Sequence, residues 1–353
     1  MTTITDPKKR ATIKDVARVS GTSSATVSMA LRKDPRISEE TRSRVETAAV
    51  EVGYVYNRSA ANLRNQSSDI IGLVIGDIAN PFFAQLSAGV NEVLTEAGKM
   101  LFLASYNEDP ERQASLLSRL SEQSVDGILL CPAFGTDPAM VNTLQQWQIP
   151  CVQLLRTLPD SPFDYVSTDY RSGIDQICEH LMALGHRHIA FVGGDRLHSA
   201  TLERHQGFID ALQRHEQDAS LIFHIEPSRR SGRNFVETLR REHPEVSAAV
   251  CFNDVTAFGM MAGLRRLGLV PGKDFAVTGF DNVEEAEDRI PALTTIDSHA
   301  FEMGRRAAHM LLARMESPDQ PRQQYILPAE LIIRGSCGNS GALPIPELPG
   351  DRL

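Results

Sequence analysis

The spacing of apolar residues changes character along the chain. Between residues 12 and 53 they recur at three- and four-residue intervals: Ile13, Val16 and Ala17, then Val27, Ala30 and Leu31, then Val45, Ala48, Ala49 and Val52. That is the period of amphipathic helices. Thr12-Ile13-Lys14-Asp15 has the form of a capping box with Asp in place of the usual Glu. Ser23 and Ser38 are N-cap residues for a second and a third helix, and Glu39-Glu40 favours the dipole of the third. Gly21, Asp34-Pro35 and Gly53 break the three helices apart. Only a few residues separate the first two, as in a helix-turn-helix.

From Asp69 onward, short continuous apolar runs alternate with helix-length segments. Ile70–Ile75 reads as a strand buried on both faces. Helix 81–97, strand Met100–Ala104, helix 111–123, strand Gly127–Cys131, helix 138–147, strand Cys151–Leu155, strand Val166–Thr168 and helix 171–184 follow. A second series comprises strand Ile189–Gly193, helix 201–213, strands 221–225 and Ala248–Phe252, helix 255–266 and strand Phe275–Gly279. Repeated βα units of this length predict parallel sheets, and two series predict two lobes. The fold class is therefore α/β: an all-α N-terminal head, then a two-lobed, doubly wound parallel-sheet body.

Charge sharpens that division. The 353 residues carry a net charge of −9, with 42% hydrophobic and 23% charged residues, ordinary for a globular chain. Residues 1–66 hold 12 Lys/Arg against 7 Asp/Glu, and the remainder 24 against 38. A small basic head on an acidic body is expected to meet phosphate through the head alone. No apolar run suits a membrane helix, and MTTITDPKKR lacks the apolar stretch of a secretory signal. Five dispersed cysteines without C-x-x-C spacing fit a cytoplasmic location better than a disulfide framework.

Ser24, Ala25, Thr26, Ser28 and Met29 fall on the N-terminal and outer faces of the second helix. Small, neutral side chains let a helix approach base edges, hydroxyls can bond there, and methyls can meet thymine. A plain three-helix bundle with a solvated face fits the same pattern. Beyond Gly53, Asn57 can cap a helix of about two turns, Arg58–Asn65, shorter than the ~12–15 residues at which isolated helices become marginal. Such a segment folds when something orders it.

Parallel sheets bind ligands beyond the C-terminal ends of their strands. At those ends lie Asn80-Pro81-Phe82-Phe83, Arg204 in the helix after V-G-G-D, Asn253-Asp254 after A-V-C-F, and Asp281 in G-F-D-N. Aromatic faces suit the C–H faces of sugar rings, and a carboxylate with an arginine makes charge-assisted bonds to polyols. Singly, each of these residues also fits a loop cap or a core position. G-x-S-x-G, H-E-x-x-H, the P-loop and the G-x-G-x-x-G spacing are missing, so an enzyme, a dinucleotide cofactor and a catalytic metal are not expected. His180, His186 and His188 surround a helix–strand turn and are read as structural. The acidic run 284–288 is read as a solvated loop.

The stretch A-T-I-K-D-V-A-R-V-S-G-T-S-S-A-T-V-S-M-A-L-R (11–32) resembles the DNA-binding head of the LacI/GalR repressor family. N-P-F-F, E-H-L-M-A-L-G-H-R-H-I-A-F-V-G-G, F-N-D, G-F-D-N-V and P-A-L-T-T-I-D resemble its effector domain, itself similar to periplasmic sugar-binding proteins. The likeness spans about residues 11–335. Within the family, S-A-T-V-S, R-I-S and A-x-x-L-R are similar to the maltose-regulon repressor subgroup.

The resemblance implies that Ser24, Ala25 and Met29 read bases, while Thr12, Ser23, Thr26 and Ser28 serve phosphates and capping. It implies paired hinge helices in the minor groove, with Asn57 as cap, Leu63 as the wedge, Ala60 at the helix–helix approach and Arg64 toward a phosphate. Tyr56 departs from the proline that often precedes the capping Asn. It further implies that Arg204, Asn253 and Asp281 touch effector, Phe82 and Phe83 form an aromatic wall, and Asp169 is another cleft position. His198 stands where purine-responsive members carry an arginine, so a purine effector is not expected.

The implied organisation is a disordered tail 1–10, head 11–56, hinge 57–68, effector domain 69–338 and flexible tail 339–353. Lobe one would be 69–170 with 299–328, and lobe two 171–298 with 329–338. The Pro/Gly-rich tail has no heptads, so a homodimer through the first lobe is expected. The expected partners are operator DNA and a small-molecule effector, a sugar or sugar derivative given the aromatic and charged strand ends; a corepressor-dependent regulator and a solute-binding protein are the alternatives.

Overall fold

The computed structural model describes residues 11–55, 67–194 and 198–338. The expected hinge positions Tyr56, Asn57, Ala60, Leu63 and Arg64, and the two expected tails, lie outside the described residues. The chain divides into two units, Met1–Ser68 and Asp69–Leu353.

In the first unit, α1 (Ile13–Ser20), α2 (Ser24–Leu31) and α3 (Glu39–Glu51) enclose a small core of Val16, Ala17, Val27, Ala30, Val45, Ala48 and Ala49. The Asp15 carboxylate accepts from both the Thr12 N–H and the Thr12 hydroxyl, at 2.9 and 2.7 Å. These bonds hold its pKa below the ordinary carboxylate range. Gly21 takes the left-handed conformation, φ 64°, that turns α1 into α2. Ser23 and Ser38 cap the next two helices by accepting from the Thr26 and Thr41 amides.

The second unit holds two parallel sheets. The first has six strands in the order β11-β5-β4-β3-β1-β2, namely Gln324–Leu327, Asp164–Thr168, Cys151–Leu154, Gly127–Leu130, Ile70–Ile75 and Met100–Ser105. The second has four, β7-β6-β8-β9, namely Ile222–Phe223, Ile189–Val192, Ala248–Cys251 and Ala276–Thr278. The first sheet carries α4 (Pro81–Glu96), α5 (Pro110–Glu122), α6 (Ala139–Gln146) and α11 (Ala300–Glu316). The second carries α7 (Tyr170–Ala183), α8 (Ser199–Arg214), α9 (Arg229–Glu242) and α10 (Asp254–Arg266).

The chain passes between the sheets after β5, before α11 and after β11. These passages are tied to one another. Thr168 donates its hydroxyl to the Ser298 carbonyl at 2.8 Å, and the Asp169 amide donates to Leu327 O at 2.9 Å. β10 (Thr295–Asp297) pairs antiparallel with β12 (Glu330–Ile332), Ile296 opposite Leu331.

The sequence reading stops at strand Phe275–Gly279 and so lacks helix α11 and the strands Thr295–Asp297, Gln324–Leu327 and Glu330–Ile332. Earlier in the chain, helix α9 is also absent from it. Its composition, RRSGRNFVETLRRE, buries only Gly232, Val236 and Leu239, a stripe narrow enough to read as polar chain. It forms because it lies backbone to backbone on α10: a Cβ on Gly259 would sit 2.4 Å from Arg229 O. Strand 221–225 shortens to Ile222–Phe223. The acidic run is not simply a solvated loop: Glu284–Ala286 is a 3-10 turn with Ala286 buried, and Glu285 pairs with Arg229 and Arg289.

Close helix packing also defines the first lobe. A Cβ on Gly304 of α11 would lie 2.1 Å from the Leu86 carbonyl of α4. Backbone cannot yield as a flexible side-chain tip can, so this clash outweighs the gain in helix propensity from alanine. Gly304→Ala is expected to lower unfolding free energy by about 1–3 kcal/mol in urea denaturation; unchanged or increased stability would show that the helices can separate freely.

Candidate functional site

The two sheets present their strand ends to one cleft. In the first, the chain order reverses between β1 and β3; in the second, between β6 and β8. Such reversals open a crevice at the C-terminal strand ends. Residues following β1 (Asp77, Asn80, Phe82, Phe83), β6 (Gly194, His198) and β8 (Phe252, Asn253) line a common cavity of about 590 Å³. That volume suits a small ligand.

Phe82 and Phe83 belong to the core and to the cleft at once. They pack edge to face at 5.4 Å, are 4% and 6% exposed, and both line the cavity. The Asn80 side chain accepts from the Phe82 amide, and Pro81 opens the helix. Asn253 caps α10: its carbonyl oxygen accepts from the Thr256 amide at 2.9 Å and hydroxyl at 2.8 Å. Its amide NH2 remains the group with which it can address a ligand. His198 caps α8 by accepting from the Thr201 amide at 3.2 Å, and its ring lies edge-on to Phe252.

Arg204 and Asp281 dominate the electrostatics. The Arg204 guanidinium is clamped between rings, 4.0 Å from the Tyr170 centroid and 4.5 Å from those of Phe252 and Phe280. It donates once, to the Ala200 carbonyl, and its Nε has no partner. Burial holds its pKa below the usual arginine value.

Asp281 is 6% exposed and sits at φ 125°, a backbone setting that L-residues rarely adopt. Burial first, and then the neighbouring Asp254, push its pKa well above the carboxylate norm; Arg204 opposes them. Among the described residues Arg204 acts on the Asp281 carboxyl through space only, and no hydrogen bond to that carboxyl contributes to its shift. Asp254, by contrast, is structural. It accepts from the Thr295 hydroxyl and, at 2.9 Å, from the Val283 amide, and burial raises its pKa to about 6.

Asp169 does not join this constellation. It is exposed and caps α7 by accepting from Ser172 N at 2.9 Å, and the cavity is lined by the next residue, Tyr170. The helix start turns consecutive residues to opposite sides, which the sequence alone did not resolve. Other cleft residues escaped the sequence reading, chiefly Glu108, Arg156, Tyr170, Glu226 and Ser228. Glu108 and Arg156 form an ion pair at 2.7 Å, with side chains 26% and 13% exposed. Both follow strand ends, a signal available in the sequence. Left-handed φ values at Asn107, Glu108 and Leu155, 51°, 57° and 62°, turn them inward, and these were not available.

In the first unit, α2 buries Val27 and Ala30 and leaves Ala25 exposed, with Ser24, Thr26, Ser28 and Met29 half-buried. The Ser23 and Thr26 hydroxyls bond each other at 2.9 Å. Thr12 sits at the start of α1.

Among the described residues, no group of three His, Cys, Asp or Glu could hold a metal, and no helix is long and apolar enough to cross a membrane. His180 meets Cys337 Sγ at 3.2 Å and His186 meets Ser247 Oγ at 2.8 Å.

Residues 12–57 match the family described as bacterial regulatory proteins, lacI family, and residues 68–334 match periplasmic binding proteins and sugar binding domain of LacI family. The chain belongs to the LacI family. Maltose regulon regulatory protein MalI of Escherichia coli K12 is 32% identical over 343 residues, covering 92% of this chain and 98% of its own. A lac repressor dimer bound to operator and the anti-inducer ONPF has 25% identity and a TM-score of 0.82, over 93% of this chain and 99% of that one. A complex of the transcriptional regulator CelR with cellobiose has 29% identity and a TM-score of 0.71, over 93% and 100%. Members of the LacI family are DNA-binding transcriptional regulators, and this chain has both parts of one: the helix-turn-helix head and the effector-binding body.

The raised pKa of Asp281 has a consequence for stability. The folded state holds that proton to higher pH than the unfolded state, so stability falls as pH rises from about 4 through the folded-state pKa. Asp281→Asn removes this linkage. Its unfolding free energy is expected to fall less steeply than that of the parent protein between pH 4 and 7 in denaturant titrations. Identical slopes would place the carboxylate in an ordinary solvated setting.

Proposed function

We propose that this LacI-family member is a cytoplasmic, homodimeric repressor of a carbohydrate-utilisation operon, released from a near-palindromic operator when a sugar or sugar derivative enters the cleft. The observation that carries this reading is the arrangement of Arg204 and Asp281. They are buried in one cavity beside Phe82 and Phe83, yet the Arg204 Nε has no partner and no hydrogen bond offsets the burial of the Asp281 carboxyl. Unused polar capacity on buried side chains costs free energy until a ligand supplies partners. A ring with hydroxyls on its edge and C–H groups on its faces does so, using Asp281 as acceptor, Arg204 and the Asn253 amide as donors, and the phenyl rings as a wall. The cellobiose and lac repressor complexes support the class by likeness.

The heads of the dimer would occupy successive major-groove half-sites, because two-fold protein symmetry calls for two-fold operator symmetry. Ser24, Ala25 and Met29 would meet base edges. Thr12, Ser23, Thr26 and Ser28 would serve the backbone. Leu63 would wedge the operator centre, with Asn57, Ala60 and Arg64 shaping the hinge helix around it.

Sequencing genomic fragments retained by the purified protein at stated salt tests the reading. One near-palindrome beside carbohydrate-catabolic genes, eluted by a sugar of that pathway, is the expected result. Retention that needs an added metabolite would make the protein corepressor-dependent instead, and the absence of any enriched site would refute the reading of the head. Asp281→Ala should still retain the fragment and no longer release it with the sugar; full release would remove Asp281 from the site. Leu63→Ala should weaken operator binding by a few kcal/mol at most in fluorescence anisotropy titrations, with sugar binding intact, and unchanged operator affinity would dismiss the wedge.

A further inference from the structure

The charged groups on the cavity wall are two arginines and four carboxyls, and they sort into pairs and a remainder. Arg156 donates to the Glu108 carboxylate at 2.7 Å and to the Pro132 carbonyl at 3.3 Å. Its side chain is only 13% exposed, so losing that carboxylate would strand a buried charge. Arg204 shares the cavity with the Asp281 carboxyl, and the rings of Tyr170, Phe252 and Phe280 cover its guanidinium. The remainder is acidic. Asp77 after β1 and Glu226 after β7 stand exposed at the wall. Asp77 accepts from the Ala79 amide and Glu226 from the Ser231 hydroxyl, and neither donor cancels a charge. His198 adds no cation while it caps α8, because it accepts from the Thr201 amide through Nδ1, which a doubly protonated imidazole cannot do.

Helix N-termini are the other common receptors for anions, and here they are committed. Asn80, His198, Ser228 and Asn253 all line the cavity, and each caps a helix by accepting from an amide of its first turn. Arg156 is therefore the group on which an anionic ligand would depend most, and Glu108 already holds it. The backbone places Glu108 for this role. Its φ of 57° turns it toward the cleft, and its carboxylate lies over Gly76, in space that a side chain there would take.

We propose that Glu108 sets the charge class of the effector: by occupying Arg156 it withdraws the cation that a phosphate or carboxylate needs, so the cleft takes an uncharged sugar and rejects sugar phosphates and sugar acids. Specificity of this kind comes from the repulsive element as much as from the attractive one. A neutral hydroxyl can still use the outward lone pairs and N–H groups of the Glu108–Arg156 pair. An anion would have to displace Glu108 from a buried partner and then lie in a cavity that also holds Asp77 and Glu226. This inference rests on the reading of the cleft as the effector site and narrows it.

Glu108→Gln keeps the shape of the side chain, removes its charge and frees Arg156 for an incoming anion. Calorimetric titrations of inorganic phosphate, glucose phosphate and glucose into the full-length parent and variant, at one pH and ionic strength, test the proposal. Both phosphates are expected to bind Glu108→Gln about 10- to 100-fold more tightly than the parent, the factor expected for gaining a hydrogen bond to a charged group. The double variant Glu108→Gln/Arg156→Gln should lose that gain, which separates binding at Arg156 from binding elsewhere on the chain. Thermal melts verify folding, and Glu108→Ala carries the test if Glu108→Gln unfolds. Equal phosphate affinity in parent and variant, a gain that persists in the double variant, or a parent that binds glucose phosphate more tightly than glucose would overturn the proposal. The sugar reading fails separately: a gain that depends on Arg156, in a protein that no sugar releases from its operator, would keep the charge filter and remove only the effector reading.

Discussion

An arginine and an aspartic acid buried in one cavity without an ion pair between them are the constraint on which the rest of this structure depends. Had Arg204 and Asp281 closed on each other, the cleft would be a static polar core. Instead the guanidinium is clamped by Tyr170, Phe252 and Phe280, and the carboxylate is held at φ 125° on a loop braced by Asp254. The folded protein thus carries a standing desolvation cost, visible in the raised carboxyl pKa and the lowered guanidinium pKa.

The scaffold makes this separation possible. Both sheets reverse strand order where the cavity lies, so helices on either side diverge and expose their N-termini to the cleft. Asn80, His198 and Asn253 each cap such a helix and line the cavity, so the ends of the helices and the walls of the site are the same residues. Close glycine-mediated packing at Gly304 against Leu86 and at Gly259 against Arg229 keeps each lobe rigid. The two sheets are joined through the three adjacent passages, tied to one another by Thr168, Asp169 and the β10–β12 pair.

Much of this was legible in the sequence because it is written in local chemistry. Capping residues, strand-length apolar runs and glycine breaks located β1 and α1–α3 within a residue or two. The polar strand-end residues Arg204, Asn253 and Asp281 fell together in the cleft as periodicity and topology imply. What escaped depends on backbone conformation or tertiary packing. Asp169 and Tyr170 are neighbours, yet one caps toward solvent and the other faces the cavity. Glu108 and Arg156 are turned inward by left-handed residues that carry no glycine signature. Helix α9 exists because Gly259 of another helix lets it lie close, a fact that its own arginine-rich sequence does not announce.

The central claim is that cleft and operator are linked through one equilibrium, and linkage is reciprocal. The most direct measurement is calorimetric titration of a cleft-binding sugar into the protein alone and into its operator complex, beside operator titrations with and without that sugar. The account predicts that sugar weakens operator binding and operator weakens sugar binding by the same factor. A sugar that binds the free protein and its operator complex equally well would contradict it.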